Sequence, residues 1–348
     1  MPILHSTTPV YPGDRVAVLS PAWAAPAYFP AIHEQALARI ESKLGLIPVE
    51  YPTTRKMGAT ARERAADVNA AFADPSIRAI FASIGGDDQI TVTPFLDPSL
   101  AQADPKPFFG YSDNTNIHNW LWRSGVQSFY GGATQLHFGS GSSSPEPEHL
   151  ATLRSALFKT GDLVLPLPSR SQDYALDWSD PQAVTMDGAY GPALPLEFLG
   201  SDEPVRGRTW GGCCEVLDQL AIADRLPSAA ELEGAILILE TSEVLPPPDF
   251  VGRWVRAMGE RGYLHAVQAL MFARPAVDDR SAPASPDILR ARHHAYIDYL
   301  LSSISLYRED LLVCLNLPFG HTKPQLVIPY GGEITIDPVS ETVTAHFG

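Results

Sequence analysis

Three apolar runs in this chain each end on a polar residue suited to acyl transfer. Ser112 follows Phe108-Phe109-Gly110-Tyr111, Glu240 follows Ile236-Leu237-Ile238-Leu239, and His321 closes the stretch 315–321. A serine hydroxyl needs a base to take its proton, and an imidazole acting as that base needs a third group to fix its tautomer and stabilise its charged form. The three residues supply one of each. Singly, each has a plainer reading. Ser112-Asp113-Asn114-Thr115 is rich in helix-capping residues, and a Glu or His at a strand end is more often a solvated or loop side chain. Their combination points to a serine hydrolase with Ser112 as nucleophile.

The Gly85-Gly86 pair, at the end of another apolar run, offers backbone amides suited to a developing oxyanion; its competing reading is a tight turn that needs positive φ. Gly110-Tyr111-Ser112-Asp113-Asn114 differs from the Gly-x-Ser-x-Gly elbow, since Asn114 replaces the second glycine.

The elements that must position these residues are legible from periodicity. Residues 15–20 and 77–84 read as buried strands, 107–111 and 127–130 as shorter ones, and 31–44, 61–72 and 114–123 carry helical spacing. Alternation of strand and helix predicts an α/β fold, an open, mostly parallel sheet whose nucleophile sits on a strand-turn-helix, with loops gathered at the strand C-terminal ends. Beyond about residue 150 the pattern changes. Residues 169–208 are Pro-rich and without period, and a loop of that length is more often a functional lid than an idle linker. A second α/β portion follows, with strands at 235–240, 266–273 and 311–317 and helices at 250–261 and 287–301. The expected organisation is an N-terminal α/β domain (1–165) carrying the nucleophile, a connecting or lid loop (166–208), and a smaller, barrel-like C-terminal α/β domain (209–348) carrying Glu and His.

Composition excludes several functions. At 348 residues with 45% hydrophobic content the chain can bury its cores without disulfides or structural metal. A net charge of -15 with no basic cluster argues against nucleic acid and anionic membranes as partners. Three cysteines, two of them adjacent, make no disulfide framework and no zinc knuckle, so a reducing cytoplasm is the expected compartment. No export signal or membrane-spanning run is read in the sequence.

The segments Gly13-Asp14-Arg15-Val16-Ala17-Val18-Leu19-Ser20-Pro21, Ile84-Gly85-Gly86-Asp87-Asp88, Gly110-Tyr111-Ser112-Asp113-Asn114-Thr115, Gly211-Gly212, Ile236-Leu237-Ile238-Leu239-Glu240-Thr241-Ser242-Glu243 and Phe319-Gly320-His321-Thr322-Lys323-Pro324-Gln325 resemble, nearly end to end, the LD-carboxypeptidase family of serine peptidases. That resemblance implies Ser112 as nucleophile, His321 as general base and then acid, Glu240 orienting His321, and the Gly86 and Asp113 amides as oxyanion hole. It also implies a site between two domains, a homodimer, and no metal or organic cofactor. Two positions depart from it. Cys213-Cys214 stands where relatives commonly show Asn, and Glu243 competes with Glu240 as the histidine's partner; Glu240 is favoured because it directly ends the strand.

Chain length and the long central stretch resemble the microcin-immunity branch of the family. The substrate this implies is a small peptide or aminoacyl group joined to a nucleotide-like moiety, with Trp178, and secondarily Trp210, as the aromatic that stacks on a base. An anchoring role within its loop is the plainer reading of Trp178. Lys323, Arg208 and Arg206 are candidates for a substrate carboxylate, or surface charges. The acidic loop residues Asp173, Asp177, Asp180 and Asp187 suit a substrate amine, or a solvated face. The rival readings are a murein tetrapeptide LD-carboxypeptidase and, in another class, a non-catalytic small-ligand binding protein. A nucleotide-binding dehydrogenase is weaker, because Gly85-Gly86-Asp87-Asp88 lacks the dinucleotide fingerprint.

Overall fold

The computed structural model describes residues 4–142 and 144–348. Strands β1 (Arg15–Leu19), β2 (Ile47–Glu50), β3 (Ile77–Ala82), β4 (Phe108–Gly110) and β5 (Ser128–Tyr130) lie in the order β5-β4-β3-β1-β2, each neighbour parallel. Parallel neighbours need crossovers, and helices Pro30–Arg39, Ala61–Ala73 and Thr115–Arg123 are among those that supply them. The start of Ala61–Ala73 is fixed by a capping box. The Glu63 amide donates to Thr60 Oγ1 at 3.3 Å, and the Thr60 amide donates to the Glu63 carboxylate at 2.8 Å.

The inner strands β1, β3 and β4 of this sheet are buried on both faces. Val16 and Val18 of β1 enter one apolar cluster and Ala17 and Leu19 the other; Phe81 and Phe109 likewise oppose Ile80 and Phe108. Alternate residues of a strand face opposite ways, so a doubly covered strand reads as an unbroken apolar run.

The rest of the chain forms β6 (Asp162–Val164), β7 (Arg170–Ser171), β8 (Gly191–Pro192), β9 (Glu197–Leu199), β10 (Val205–Cys213), β11 (Ile236–Glu240), β12 (Ala269–Ala273), β13 (Leu312–Leu317), β14 (Ile328–Tyr330), β15 (Glu333–Asp337) and β16 (Thr342–His346). Eight of these build a second sheet, β6-β16-β15-β10-β11-β12-β13-β9, parallel from β10 to β13 and antiparallel outside it. The expected barrel-like form is corrected here. A barrel requires its first and last strands to pair, and β6 and β9 are instead the two free ends of an open sheet.

The sheets are tied by exchange. β14, late in the chain, pairs antiparallel with β5 at the edge of the first sheet, setting Ile328 opposite Tyr130, while β6 pairs with β16 in the second. One apolar cluster runs through both sheets, from Phe81 and Phe109 to Ile236 and Leu315. Residues 169–208 contain the β7-β8 ribbon, a short turn at Pro181–Val184 and β9. Gln172 exchanges two backbone hydrogen bonds with Lys323, both 2.9 Å, clipping this segment to the loop after β13. Among the described residues no helix is long and apolar enough to cross a membrane.

Candidate functional site

Strand β4 stops at Gly110, and the chain turns through Ser112–Asn114 into helix Thr115–Arg123. Ser112 takes φ +62°, a left-handed conformation that costs a side-chain-bearing residue energy and occurs where the surroundings enforce it. The Gly85-Gly86 turn lies against it. A Cβ on Gly85 would sit 2.9 Å from Ser112 Cβ and 3.3 Å from the Asp113 nitrogen, so only glycine permits this approach. Neither the Gly86 nor the Asp113 amide has an acceptor among the described residues, and Gly86 lines the cavity that Ser112 faces. The Asp113 side chain points away from that cavity into a buried network, accepting from the Gln89 amide (3.0 Å) and from Asn116 Nδ2 (2.9 Å). Burial lifts its carboxyl to about 6.

The second sheet supplies a carboxylate and an imidazole. Glu240, the last residue of β11, is buried, and its Oε2 lies 2.6 Å from His321 Nδ1. His321 arrives on the turn after β13, and Gly320 is needed there because a Cβ would meet Glu240 Cβ at 2.8 Å. The imidazole is packed edge-to-face on Tyr111, with centroids 4.8 Å apart. Glu243, the alternative partner left open by the sequence, meets the other ring nitrogen, its Oε2 standing 3.2 Å from Nε2. The two carboxylates therefore bracket the ring. Burial alone would lower the imidazole's pKa, but Glu240 and Glu243 outweigh it and hold it at about 9.

Tyr130, which sequence reasoning passed over, joins the two halves. Its hydroxyl donates to Glu240 Oε1 at 2.6 Å and accepts the Ser112 amide at 3.2 Å. Burial, reinforced by Glu240, pushes the phenol well above its ordinary range, so it stays a donor. A signal was present, since Tyr130 ends β5 just as Glu240 ends β11.

Ser112, His321 and Glu243 open onto one cavity of about 550 Å³. Its aromatic wall contains Trp23, Phe29 and Trp178, with Trp178 edge-on to Phe29 at 5.5 Å. The central segment is pinned over this cavity by Asp173 to Arg274 (2.5 Å) and Asp177 to Arg280 (2.8 Å). Asp180 caps the turn at Pro181–Val184, and Asp187 accepts from Ser142.

Other expected binding residues are not brought to this cavity. Lys323 is buried, with Nζ 3.2 Å from Glu146 and 3.3 Å from the Leu136 carbonyl. Arg208 lies along β10 in register with Glu333, and Arg206 pairs with Glu333 at 2.7 Å, both outside the cavity lining. Trp210 is a core residue, fully buried against Tyr263, with its indole N–H on Asn119. Cys213 and Cys214 are buried thiols whose ionisation burial suppresses. Among the described residues no group of three or more His, Cys, Asp or Glu could hold a metal ion.

Residues 16–131 match the LD-carboxypeptidase N-terminal domain and residues 206–336 the LD-carboxypeptidase C-terminal domain. A Vibrio cholerae protein named "Putative carboxypeptidase" is 26% identical over 93% of this chain and 92% of its own length. The microcin C7 self-immunity protein MccF of Escherichia coli is 25% identical over 80% of this chain and 76% of its own length. Solved structures of MccF in complex with glutamyl sulfamoyl guanosine and with aspartyl sulfamoyl adenosine share the fold, each at TM-score 0.81 and 22% identity, covering 98% of both chains.

Proposed function

This chain belongs to the LD-carboxypeptidase family of peptidase-type hydrolases, and on that premise we propose that it cleaves an aminoacyl or peptidyl amide joined to a nucleotide-like group, through Ser112, His321 and Glu240. The observation that carries the reading is the meeting of a strained serine, an imidazole bound through Nδ1 to a buried carboxylate, and an aromatic wall in one cavity. We assign residues 1–165 and 209–348 as the two domains, 166–208 as the segment over the site, and a homodimer in the cytoplasm as the working form.

Ser112 Oγ attacks the scissile carbonyl while His321 Nε2 takes its proton. Glu240 holds Nδ1–H, fixing the tautomer and stabilising the imidazolium. The oxyanion leans on the Gly86 and Asp113 amides, an arrangement worth roughly 10²–10³ in rate per donor. His321 then protonates the leaving nitrogen, and water, activated by the same imidazole, hydrolyses the acyl-enzyme. Trp178 offers its indole to the planar base of the leaving group, and its replacement by Ala is expected to raise KM for such a substrate by about tenfold or more.

The test is product analysis by mass spectrometry on an aminoacyl sulfamoyl adenosine and a murein tetrapeptide, with wild type and Ser112→Ala. Ser112-dependent cleavage of the adenosine compound supports the reading. Cleavage of the tetrapeptide alone moves the enzyme to cell-wall peptides, and cleavage of neither, with no labelling of Ser112 by a fluorophosphonate, returns the site to ligand binding.

A further inference from the structure

The first sheet has a second place for a ligand. In the order β5-β4-β3-β1-β2 the chain leaves β1 toward β2 on one side and leaves β3 toward β4 on the other. Loops that part in this way open a crevice beyond the C-terminal ends of the two strands, where open α/β sheets bind ligands. Here that crevice is a cavity of about 400 Å³, within the roughly 300–1,000 Å³ of small-molecule sites. Its lining comes largely from residues 20–24 after β1, 56–59 after β2 and 86–88 after β3.

Trp23 and Gly86 line this cavity and the catalytic one alike. The Trp23 amide donates to the Gly85 carbonyl at 3.2 Å, and a Cβ on Gly86 would sit 3.0 Å from Ala22 Cβ. The loop after β1 therefore lies directly on the turn that carries the Gly86 amide. The two cavities also divide the chemistry. His321 Nε2 has to reach both Ser112 Oγ and the leaving nitrogen, so the leaving group belongs on the side of His321, with Trp178. Neither His321 nor Trp178 lines the second cavity, which is left to the other substituent of the scissile carbon, the acyl chain.

Where the second cavity is open to water its lining is apolar. Trp23, Tyr28 and Met57 are 39%, 52% and 59% exposed, and Tyr28 lies against Trp23 with ring centroids 5.3 Å apart. Large apolar side chains left in water around a concavity mark a binding surface. The cations of the lining are neutralised in place. Lys56 is paired with Glu63 at 2.5 Å, and Arg64 holds Asp88 through two bonds of 2.7 Å while donating to the Ala22 carbonyl, also at 2.7 Å. Asp87, exposed in the same lining, adds a negative charge.

Resting on the serine-hydrolase reading above, we propose that this crevice is the subsite for the peptidyl arm of the substrate: it takes the residues preceding the acylated one, favours an apolar or aromatic side chain there and disfavours an acidic one. The catalytic cavity holds the acylated residue and the nucleotide-like group, and Trp23 stands between the two parts of one substrate. An aminoacyl substrate fills the catalytic cavity alone and forgoes the contacts of the crevice.

The experiment measures kcat/KM for an aminoacyl sulfamoyl adenosine and for two dipeptidyl counterparts that carry Phe or Glu before the same aminoacyl residue, in wild type, Met57→Glu and Tyr28→Ala. Both replaced side chains are more than half exposed, so neither change opens a hole in the core. Wild type is expected to favour the Phe-extended substrate by about tenfold or more over the unextended and the Glu-extended ones. Met57→Glu should abolish the preference for Phe, because it sets a charge in the apolar lining, and Tyr28→Ala should reduce it about threefold or more. Ratios taken within each variant cancel any change in the amount of folded enzyme. Equal cleavage of extended and unextended substrates by wild type, or a preference for Phe untouched by both replacements, overturns the subsite alone. Cleavage of none of the three overturns the proposed function, and the subsite with it.

Discussion

Tyr130 and Glu240 come from different sheets and meet at 2.6 Å, phenol to carboxylate. Because the same hydroxyl accepts the Ser112 amide, one side chain couples the position of the proposed nucleophile to that of the residue orienting His321. Tyr130→Phe leaves a buried carboxylate oxygen and a backbone N–H without this partner, at a cost of about 1–3 kcal/mol. Urea unfolding should show that loss, and steady-state kinetics a fall in kcat of about tenfold or more with little change in KM, since the misplacement acts on geometry rather than on binding.

Glu240→Gln keeps the shape and removes the charge. The expected drop in kcat/KM is about 10³-fold or more, as for an imidazole held in the wrong tautomer. A pH signature accompanies it. His321 has a folded pKa of about 9, raised above the ordinary 6.5, so its ion pairing stabilises the fold fully below about pH 6.5 and that contribution fades as pH rises through about 9. Unfolding of wild type and Glu240→Gln at pH 6 and pH 10 should therefore show a larger gap at pH 6. A gap that widens at pH 10 contradicts the assignment.

Ser112 holds a left-handed conformation that glycine adopts freely. Ser112→Gly and Ser112→Ala should both be inactive, yet the glycine variant should be the more stable by about 1 kcal/mol. Thermal melts of the pair measure this directly.

Much of the first sheet is readable in sequence because β1 and β3 are covered on both faces, and the polar ends of β4, β11 and β13 stand out against their apolar runs. Other parts are hidden for physical reasons. β10 contains Gly207, Gly211 and Gly212 among charged residues, so it resembles a loop, and its strand state depends on partners at 236–240 and 333–336. β14 joins a sheet formed nearly 200 positions earlier, a pairing no local pattern encodes. Lys323 illustrates the converse. Its charge and its place beside His321 suggest a substrate contact, whereas the fold spends it on Glu146.

That buried pair makes its own prediction. Lys323→Ala strands Glu146 in the interior and should destabilise by about 3–5 kcal/mol, while the double change Lys323→Met with Glu146→Gln should recover much of the loss. Denaturant titration of wild type and the two variants tests it.

The most direct test of the central claim is to quench wild type during turnover of an aminoacyl sulfamoyl adenosine and map covalent adducts by peptide mass spectrometry. The account predicts the aminoacyl mass on the peptide containing Ser112, absent from Ser112→Ala and from His321→Ala, in which no imidazole takes the serine proton. Turnover that persists in Ser112→Ala, or an adduct on any other residue, contradicts it.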